Sequence, residues 1–305
     1  MTAPAHVVIS SWRSRCVRSR STARLSRWLP SPPEVTGSAS PTPVVCCDLD
    51  GVIWRGDEPI PAAIEGVTEL CAAGVRVGFV SNNSSQPIAD VVAKLERCGI
   101  DADGDDVVTS ALAAAALLRD GLAPGSRVLA CAGPGVVQAL LEVGLEPVDR
   151  PPAAAVVVGF HRNFDFDELD RASSAIRDGA RFVAANLDAT YPVPGGLMPG
   201  SGAIAAAVAT ASGRSPEVAG KPEPPMVALV RERFGNNGIV VGDRPSSDGA
   251  LAAALGWPFA LVLTGVSAAI APPGGEAIPD PPPPYVGEDL GALVPSLLAA
   301  LAART

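Results

Sequence analysis

Val44-Val45-Cys46-Cys47-Asp48-Leu49-Asp50-Gly51-Val52-Ile53-Trp54 decides how the rest of the chain is read. Its first four residues are small, apolar and uncharged, as in a strand buried on both faces at the centre of a parallel sheet. The run stops at two carboxylates spaced i and i+2, followed by glycine. Alternate residues of an extended chain point the same way, so Asp48 and Asp50 can face one site. Gly51 permits a sharp turn at the strand end. Open α/β sheets bind ligands at the carboxyl ends of their strands, and a divalent cation would let two acids share such an end. Taken alone, Asp-x-Asp-Gly reads more simply as a solvated turn, and the surrounding pattern has to decide.

Outward from this strand the chain alternates. Apolar runs at 75–80 and 106–109 are expected strands, and 61–73, 86–97 and 110–119 expected helices. Repeated βα units imply a parallel sheet with right-handed crossovers. A second run follows, with strands at 127–131, 154–158 and 181–185 and helices at 135–143 and 167–178. It falls between two groups of candidate site residues, as an insertion with its own small sheet would. After a helix from Ser201 come a helix at 226–234, a strand at 238–241, a loop at 242–248, a helix at 249–255 and a strand at 259–263. A proline-rich loop at 272–284 and a closing helix at 290–302 complete the pattern. The expected organisation is a tail at 1–43, a core from 44–125 and 201–305, and an inserted α/β cap at 126–200.

The 305 residues are 48% hydrophobic, 4% aromatic and net −9. The first 43 residues hold six arginines and one acid, Glu34, so the remainder carries 17 basic against 31 acidic residues, net −14. A body that acidic is a poor nucleic-acid binder. The tail is rich in Arg, Ser and Pro, a composition shared with transit peptides, lacks an apolar run of signal-peptide length, and is expected to be disordered. Residues 251–271 are uncharged and long enough for a membrane span, but Gly256, Pro258 and Gly265 break them into helix, strand and turn. No membrane segment is expected. The six cysteines show no C-x-x-C pair, and His6 and His161 are the only histidines. A zinc site would need ligands this chain hardly has, and buried thiols in a reducing cytoplasm are expected instead.

Three further pieces lie at strand ends or loop–helix junctions. Ser81-Asn82-Asn83 closes the second strand with a hydroxyl and amides suited to an anionic oxygen, although the same stretch is an ordinary helix cap. Lys221 is one of two lysines beside 21 arginines. A lysine held between glycine and proline suits a compact point charge at a phosphate, or is a surface residue in a turn. Asp243 and Asp248 follow the apolar Ile239-Val240-Val241 and place more carboxylates at the sheet edge, an oxygen set that suits Mg²⁺.

Together these residues resemble the haloacid dehalogenase (HAD) superfamily of phosphohydrolases, from Val44 to the C-terminus. Asp48-Leu49-Asp50-Gly51-Val52 matches its first motif, Ser81 its second, Lys221 its third, and Asp243 with Asp248 its fourth. Ser81-Asn82-Asn83-Ser84-Ser85, Val157-Val158-Gly159-Phe160, Ala185-Asn186-Leu187-Asp188, Pro199-Gly200-Ser201-Gly202 and Gly220-Lys221-Pro222-Glu223-Pro224 look like its class IIA branch. The resemblance implies a Rossmann-like HAD core with a parallel sheet, and an α/β cap domain inserted between the second and third motifs. It implies Asp48 as nucleophile, Asp50 as general acid and base, and Mg²⁺ held by Asp48, the backbone carbonyl of Asp50, and Asp243. Ser81, the Asn82–Asn83 turn and Lys221 would bind the phosphoryl group, with Asp248 ordering Lys221 or a metal water. Cap residues His161 and Arg162 would face the substrate, or lie at the surface. Pro245-Ser246-Ser247 and Gly249 depart from the family pattern, which puts the loop's rigidity and the rate in question.

The implied function is a Mg²⁺-dependent phosphomonoesterase of small metabolites. Glycerol 3-phosphate is the first expectation, and phosphoglycolate, nucleoside monophosphates and pyridoxal phosphate are alternatives. A phosphomutase would carry its cap after the first motif, where 53–75 is too short, and a dehalogenase would lack Asp50. A binding or regulatory relative with poor turnover is the competing class. By resemblance, a homodimer is the expected assembly.

Overall fold

Strand alternation builds the core. A computed structural model describes residues 43–193, 196–268 and 275–304; the expected tail lies almost wholly outside them. Val44–Cys47 is fully buried and pairs in parallel with Gly238–Gly242 on one side and Arg76–Ser81 on the other. The sheet extends outward to Phe259–Val262 and Tyr285–Gly287 beyond the first neighbour, and to Val107–Thr109 beyond the second. Successive side chains leave opposite faces. Val45, Cys47, Ile239 and Val241 pack under helices Pro61–Ala72, Ile88–Arg97 and Leu290–Ala302. Val44, Cys46 and Val240 pack under Ser110–Arg119, Pro224–Phe234 and Ala250–Leu255. Helices on both faces explain why the strands read as unbroken apolar runs.

The inserted unit has a second parallel sheet, in the order Glu217–Val218, Arg181–Ala184, Ala155–Val158, Arg127–Cys131, Glu146–Val148. On one face Val156, Val158 and Ala184 pack with Ala172 and Ile176 of Phe166–Arg177 and with Ile204, Ala205 and Val208 of Ser201–Ser212. On the other, Val128, Val157 and Val183 join the cluster that contains Val44 and Cys46, so cap and core share continuous packing.

The expected boundary at 200 is therefore too early. The Ser201–Ser212 helix and the Glu217–Val218 strand belong with the cap sheet. The misplacement came from taking a buried helix as a return to the core, although alanine-rich helices pack on either sheet. The expected loop at 242–248 contains one wide helical turn, Pro245–Gly249. Two antiparallel hairpins had no expectation: Trp54–Arg55 with Glu58–Pro59, and Thr190–Val193 with Gly196–Pro199. Elements of two to four residues carry too little periodicity to show. The proline-rich stretch ends in an edge strand, Tyr285–Gly287, with part of it outside the described residues. Among the described residues no helix is long and apolar enough to cross a membrane.

Candidate active site

The parallel register places the ends of three adjacent strands at one point. Asp48 follows Val44–Cys47 and extends its ladder, donating its N–H to the Val241 carbonyl at 2.8 Å. Ser81 ends the strand on one side, and Asp243 follows the strand on the other. Asp48, Ser81, Asp243 and Asp248 are all buried. Lys221 enters from the segment before the Pro224–Phe234 helix. Its Nζ donates to Oδ1 of Asp48 at 2.7 Å, to Oδ1 of Asp248 at 2.6 Å and to the Val80 carbonyl at 2.8 Å. Its three protons are thus directed at three acceptors. Burial alone would lower the ammonium pKa; Asp248 and Asp48 outweigh it and hold Lys221 charged.

One ammonium does not balance the acids around it. Carboxylate oxygens of Asp48, Asp243 and Asp248 lie within 4.8 Å of one another. Burial, and then its carboxylate neighbours against the pull of Lys221, hold the Asp48 carboxyl well above its usual range. Asp243 is pushed up to about 7, first by burial and then by Asp248. A buried site that resists ionisation for lack of positive charge, with oxygen ligands at its rim, fits a hard divalent cation. Gly51 makes the approach possible. Its φ is +96°, and a Cβ there would stand 2.6 Å from Oδ2 of Asp243.

Asp50 faces differently. Its Oδ1 accepts from the Trp54 indole at 2.7 Å and from the Tyr191 hydroxyl at 2.8 Å. Its carboxylate is not part of the acidic cluster, so any share in a cation site falls to its main-chain carbonyl. Asp248 Oδ2 accepts from the Arg244 N–H at 3.1 Å, which leaves Asp248 holding Lys221 and its own loop.

The two asparagines are engaged in holding loops. Asn82 Oδ1 accepts from the Lys221 N–H at 2.8 Å, and its Nδ2 donates to Asp188 at 2.9 Å, tying core to cap. Asn83 Oδ1 accepts from the N–H of Ser85 at 3.0 Å and from its hydroxyl at 2.7 Å. Both residues line the cavity beside Ser81 and Lys221; Asn82 is held at both ends of its amide and Asn83 through Oδ1.

His161 and Arg162 are not among the residues lining the cavity. His161 faces Glu168 at 2.7 Å, and the Arg162 guanidinium approaches the Met198 sulfur at 3.6 Å. The neighbouring Phe160 lines the cavity instead and stacks on Tyr191 with ring centroids 5.7 Å apart. Phe160 thus takes the place toward the cavity, and of the two readings of His161 and Arg162 these contacts fit the one away from it. Asp188, Thr190, Tyr191 and Arg244 also line the cavity and had no expected role. Tyr191 is one of two tyrosines, a rarity of the kind that drew attention to Lys221.

The fourth-motif loop is tied to Glu276 and to the cap. Arg244 donates to Glu276 at 3.3 Å and to the Thr190 carbonyl at 3.3 Å, and the Ser246 N–H donates to Glu276 at 2.9 Å. Gly249 leaves room for Phe259, whose ring lies 3.2 Å from where a Cβ would be.

Comparison with known proteins gives the family. A family model described as haloacid dehalogenase-like hydrolase matches residues 45–146, and one described as HAD-hydrolase-like matches residues 218–293. The chain belongs to the haloacid dehalogenase-like hydrolases, in the class IIA branch with an inserted α/β cap. It is 42% identical over 252 residues to the D-glycerol 3-phosphate phosphatase of Mycobacterium tuberculosis, spanning 81% of this chain and 69% of the relative. The crystal structure of a glycerol phosphate phosphatase from M. tuberculosis in complex with magnesium superposes with a TM-score of 0.72 at 40% identity, over 82% of this chain and 76% of that one. A p-nitrophenyl phosphatase from Archaeoglobus fulgidus gives a TM-score of 0.73 at 30% identity, over 84% of this chain and all (100%) of the other.

Proposed function

We propose that this protein is a Mg²⁺-dependent phosphomonoesterase of the cytoplasm that hydrolyses glycerol 3-phosphate through an aspartyl-phosphate on Asp48. The observation that carries the reading is the buried Lys221 ammonium, 2.7 Å from Asp48 and 2.6 Å from Asp248 at the ends of adjacent strands. Asp48 attacks phosphorus while Lys221 and Ser81 hold the phosphoryl oxygens. Asp50 gives its proton to the leaving glycerol oxygen, and then takes one from the water that cleaves the acyl phosphate and restores Asp48. Trp54 and Tyr191 both donate to Oδ1 of Asp50, which leaves Oδ2 to exchange the proton. Asp48, the Asp50 carbonyl and Asp243 would hold Mg²⁺, which when bound supplies positive charge to the transferring group.

The cap side of the cavity supports a polyol tail. Asp188, Thr190 and Tyr191 offer groups that pair with hydroxyls, and the Ser201 hydroxyl is buried there without a hydrogen-bond partner. The carboxylate of phosphoglycolate would meet Asp50 and Asp188 as well as Arg244, whereas hydroxyls pair with all three. The name of the M. tuberculosis relative points the same way. The buried thiols of Cys46, Cys47 and Cys131 fit a reducing compartment. A homodimer through the cap belongs to the same reading by family resemblance, and sedimentation tests it.

The test is phosphate release with Mg²⁺ or with chelator, on glycerol 3-phosphate, phosphoglycolate, nucleoside monophosphates, pyridoxal phosphate and p-nitrophenyl phosphate. Metal-dependent release, greatest on glycerol 3-phosphate and lost in Asp48→Asn, is expected. Release that survives in Asp48→Asn removes the nucleophile, and no turnover on any substrate favours a binding protein.

A further inference from the structure

Away from the reaction centre, three cap side chains meet at the carboxyl edge of the second sheet. Cys131 ends the Arg127–Cys131 strand, His161 lies just beyond Ala155–Val158, and Glu168 sits in the first turn of Phe166–Arg177. A sulfur, an imidazole nitrogen and a carboxylate oxygen from these residues lie within 4.8 Å of one another. Tetrahedral zinc, with bonds of ~2.0–2.3 Å, holds its ligand atoms roughly 3.3–3.8 Å apart, so the group lies within reach of one ion once the 2.7 Å contact between His161 and Glu168 opens.

The histidine's surroundings define its free nitrogen. Nδ1 stands 3.1 Å from the Gly159 carbonyl, which only accepts, so Nδ1 carries a proton. Nε2 is then the nitrogen left to take a ligand. It points at Oε2 of Glu168, 2.7 Å away. At that separation the contact is a hydrogen bond closed by a proton, which a bound cation would replace. An imidazole whose second nitrogen donates to a backbone carbonyl is also the arrangement that metal-ligating histidines adopt. Cys131 is buried, whereas the His161 and Glu168 side chains keep 11% and 16% exposure, enough for a solvent ligand.

We propose that Cys131, His161 and Glu168 form a second metal site, in the cap, for zinc or a divalent transition metal of similar softness. A thiolate and an imidazole select such an ion over Mg²⁺. Burial and Glu168 keep the Cys131 thiol protonated in the metal-free protein, so binding releases that proton to solvent. The bound ion would pin the loop after Val158, and with it Phe160 against Tyr191. No spacing in the sequence pointed here, because each ligand comes from a different cap element.

Cobalt is the probe. Full-length protein is stripped with chelator, given Co²⁺ and dialysed against excess Mg²⁺. Retention of about one Co²⁺ per chain in tetrahedral coordination is expected, with a thiolate-to-cobalt charge-transfer band that Zn²⁺ abolishes on exchange. Cys131→Ser should lose the band, and His161→Gln should weaken Co²⁺ binding at least about tenfold. Asp243→Asn should leave the band unchanged, which separates this site from the reaction centre. Circular dichroism shows whether Cys131→Ser has folded; if it has not, Glu168→Gln takes its place, with weakened binding expected. Absence of the band in the parent protein, its persistence in Cys131→Ser, its loss in Asp243→Asn, or unchanged Co²⁺ affinity in His161→Gln or Glu168→Gln overturns the proposal and leaves a hydrogen-bonded triad without metal.

Discussion

Tyr191 donates from its hydroxyl to Oδ1 of Asp50 across 2.8 Å, and through that bond a cap hairpin touches the acid next to the central strand. Hydrogen bonds to charged groups contribute about 1.5–3 kcal/mol. Tyr191→Phe keeps the stack on Phe160 and removes only this donor. It is expected to lower kcat by roughly tenfold, about 1.4 kcal/mol, with the melting temperature little changed. Steady-state kinetics on p-nitrophenyl phosphate check this, and an unchanged kcat would show that the contact takes no part in turnover.

Lys221 holds two buried acids at once. Removing one partner of a buried ion pair typically costs about 3–5 kcal/mol, because the remaining charge is left uncompensated. Lys221→Ala is expected to lose that stability in metal-free solution, together with nearly all activity. Lys221→Arg should not restore turnover, since a planar fork cannot serve acceptors placed for a point charge. Denaturant melts and kinetics of both variants are the check. A stable, active Lys221→Ala would contradict the proposed role.

The acids of the site carry a pH signature. Burial and Asp248 raise the Asp243 pKa from 3.8 to about 7. A carboxyl raised on folding favours the native state below its unfolded pKa, and that contribution is lost as pH rises through the folded value. Metal-free protein should therefore be less stable at pH ~8 than at pH ~5, as far as this group decides. Mg²⁺ should reverse the loss, because it binds the ionised acid, and its affinity should fall by up to about tenfold per unit below pH 7. Thermal melts and Mg²⁺ titrations across this range test both signs. An affinity independent of pH would remove Asp243 from the ligand set.

Gly51 leaves the Asp243 carboxylate its place in the acidic cluster. A methyl group there meets Asp243 and is also strained by the positive φ of +96°. Gly51→Ala is expected to destabilise the fold by about 1–3 kcal/mol and to weaken Mg²⁺ binding, as the Asp243 carboxylate is pushed aside. Calorimetric titration measures the second effect, and wild-type affinity would show that the carboxylate can yield without loss.

What was legible in the sequence was the set of features encoded locally. An apolar run ending in Asp48 and Asp50, another ending at Asp243, and a lone lysine between glycine and proline each sit at a strand end or turn. A parallel sheet must bring such ends together. The contacts between cap and core were not legible. Asn82 with Asp188, Tyr191 with Asp50, and Arg244 with Thr190 join segments 106, 141 and 54 positions apart through side-chain geometry alone. The cap boundary failed for a related reason, since the Ser201–Ser212 helix has no feature that says which sheet it covers. Lys94 shows the same limit. It donates to the Gly56 carbonyl at 2.5 Å and lies over the Trp54 ring at 4.2 Å, so the second lysine holds the hairpin whose indole bonds Asp50.

The pairing of Val44–Cys47 has a consequence for biosynthesis. One edge of this strand is closed by Arg76–Ser81, a short way along the chain, but the other waits for Gly238–Gly242. At about 5–20 residues per second, the intervening stretch of about 190 residues takes the ribosome roughly 10–40 s to make. For that interval a fully apolar strand has an open edge, the kind of surface that recruits other chains. The exposed edge thus belongs to the nascent chain, and pairing with Gly238–Gly242 closes it in the finished fold.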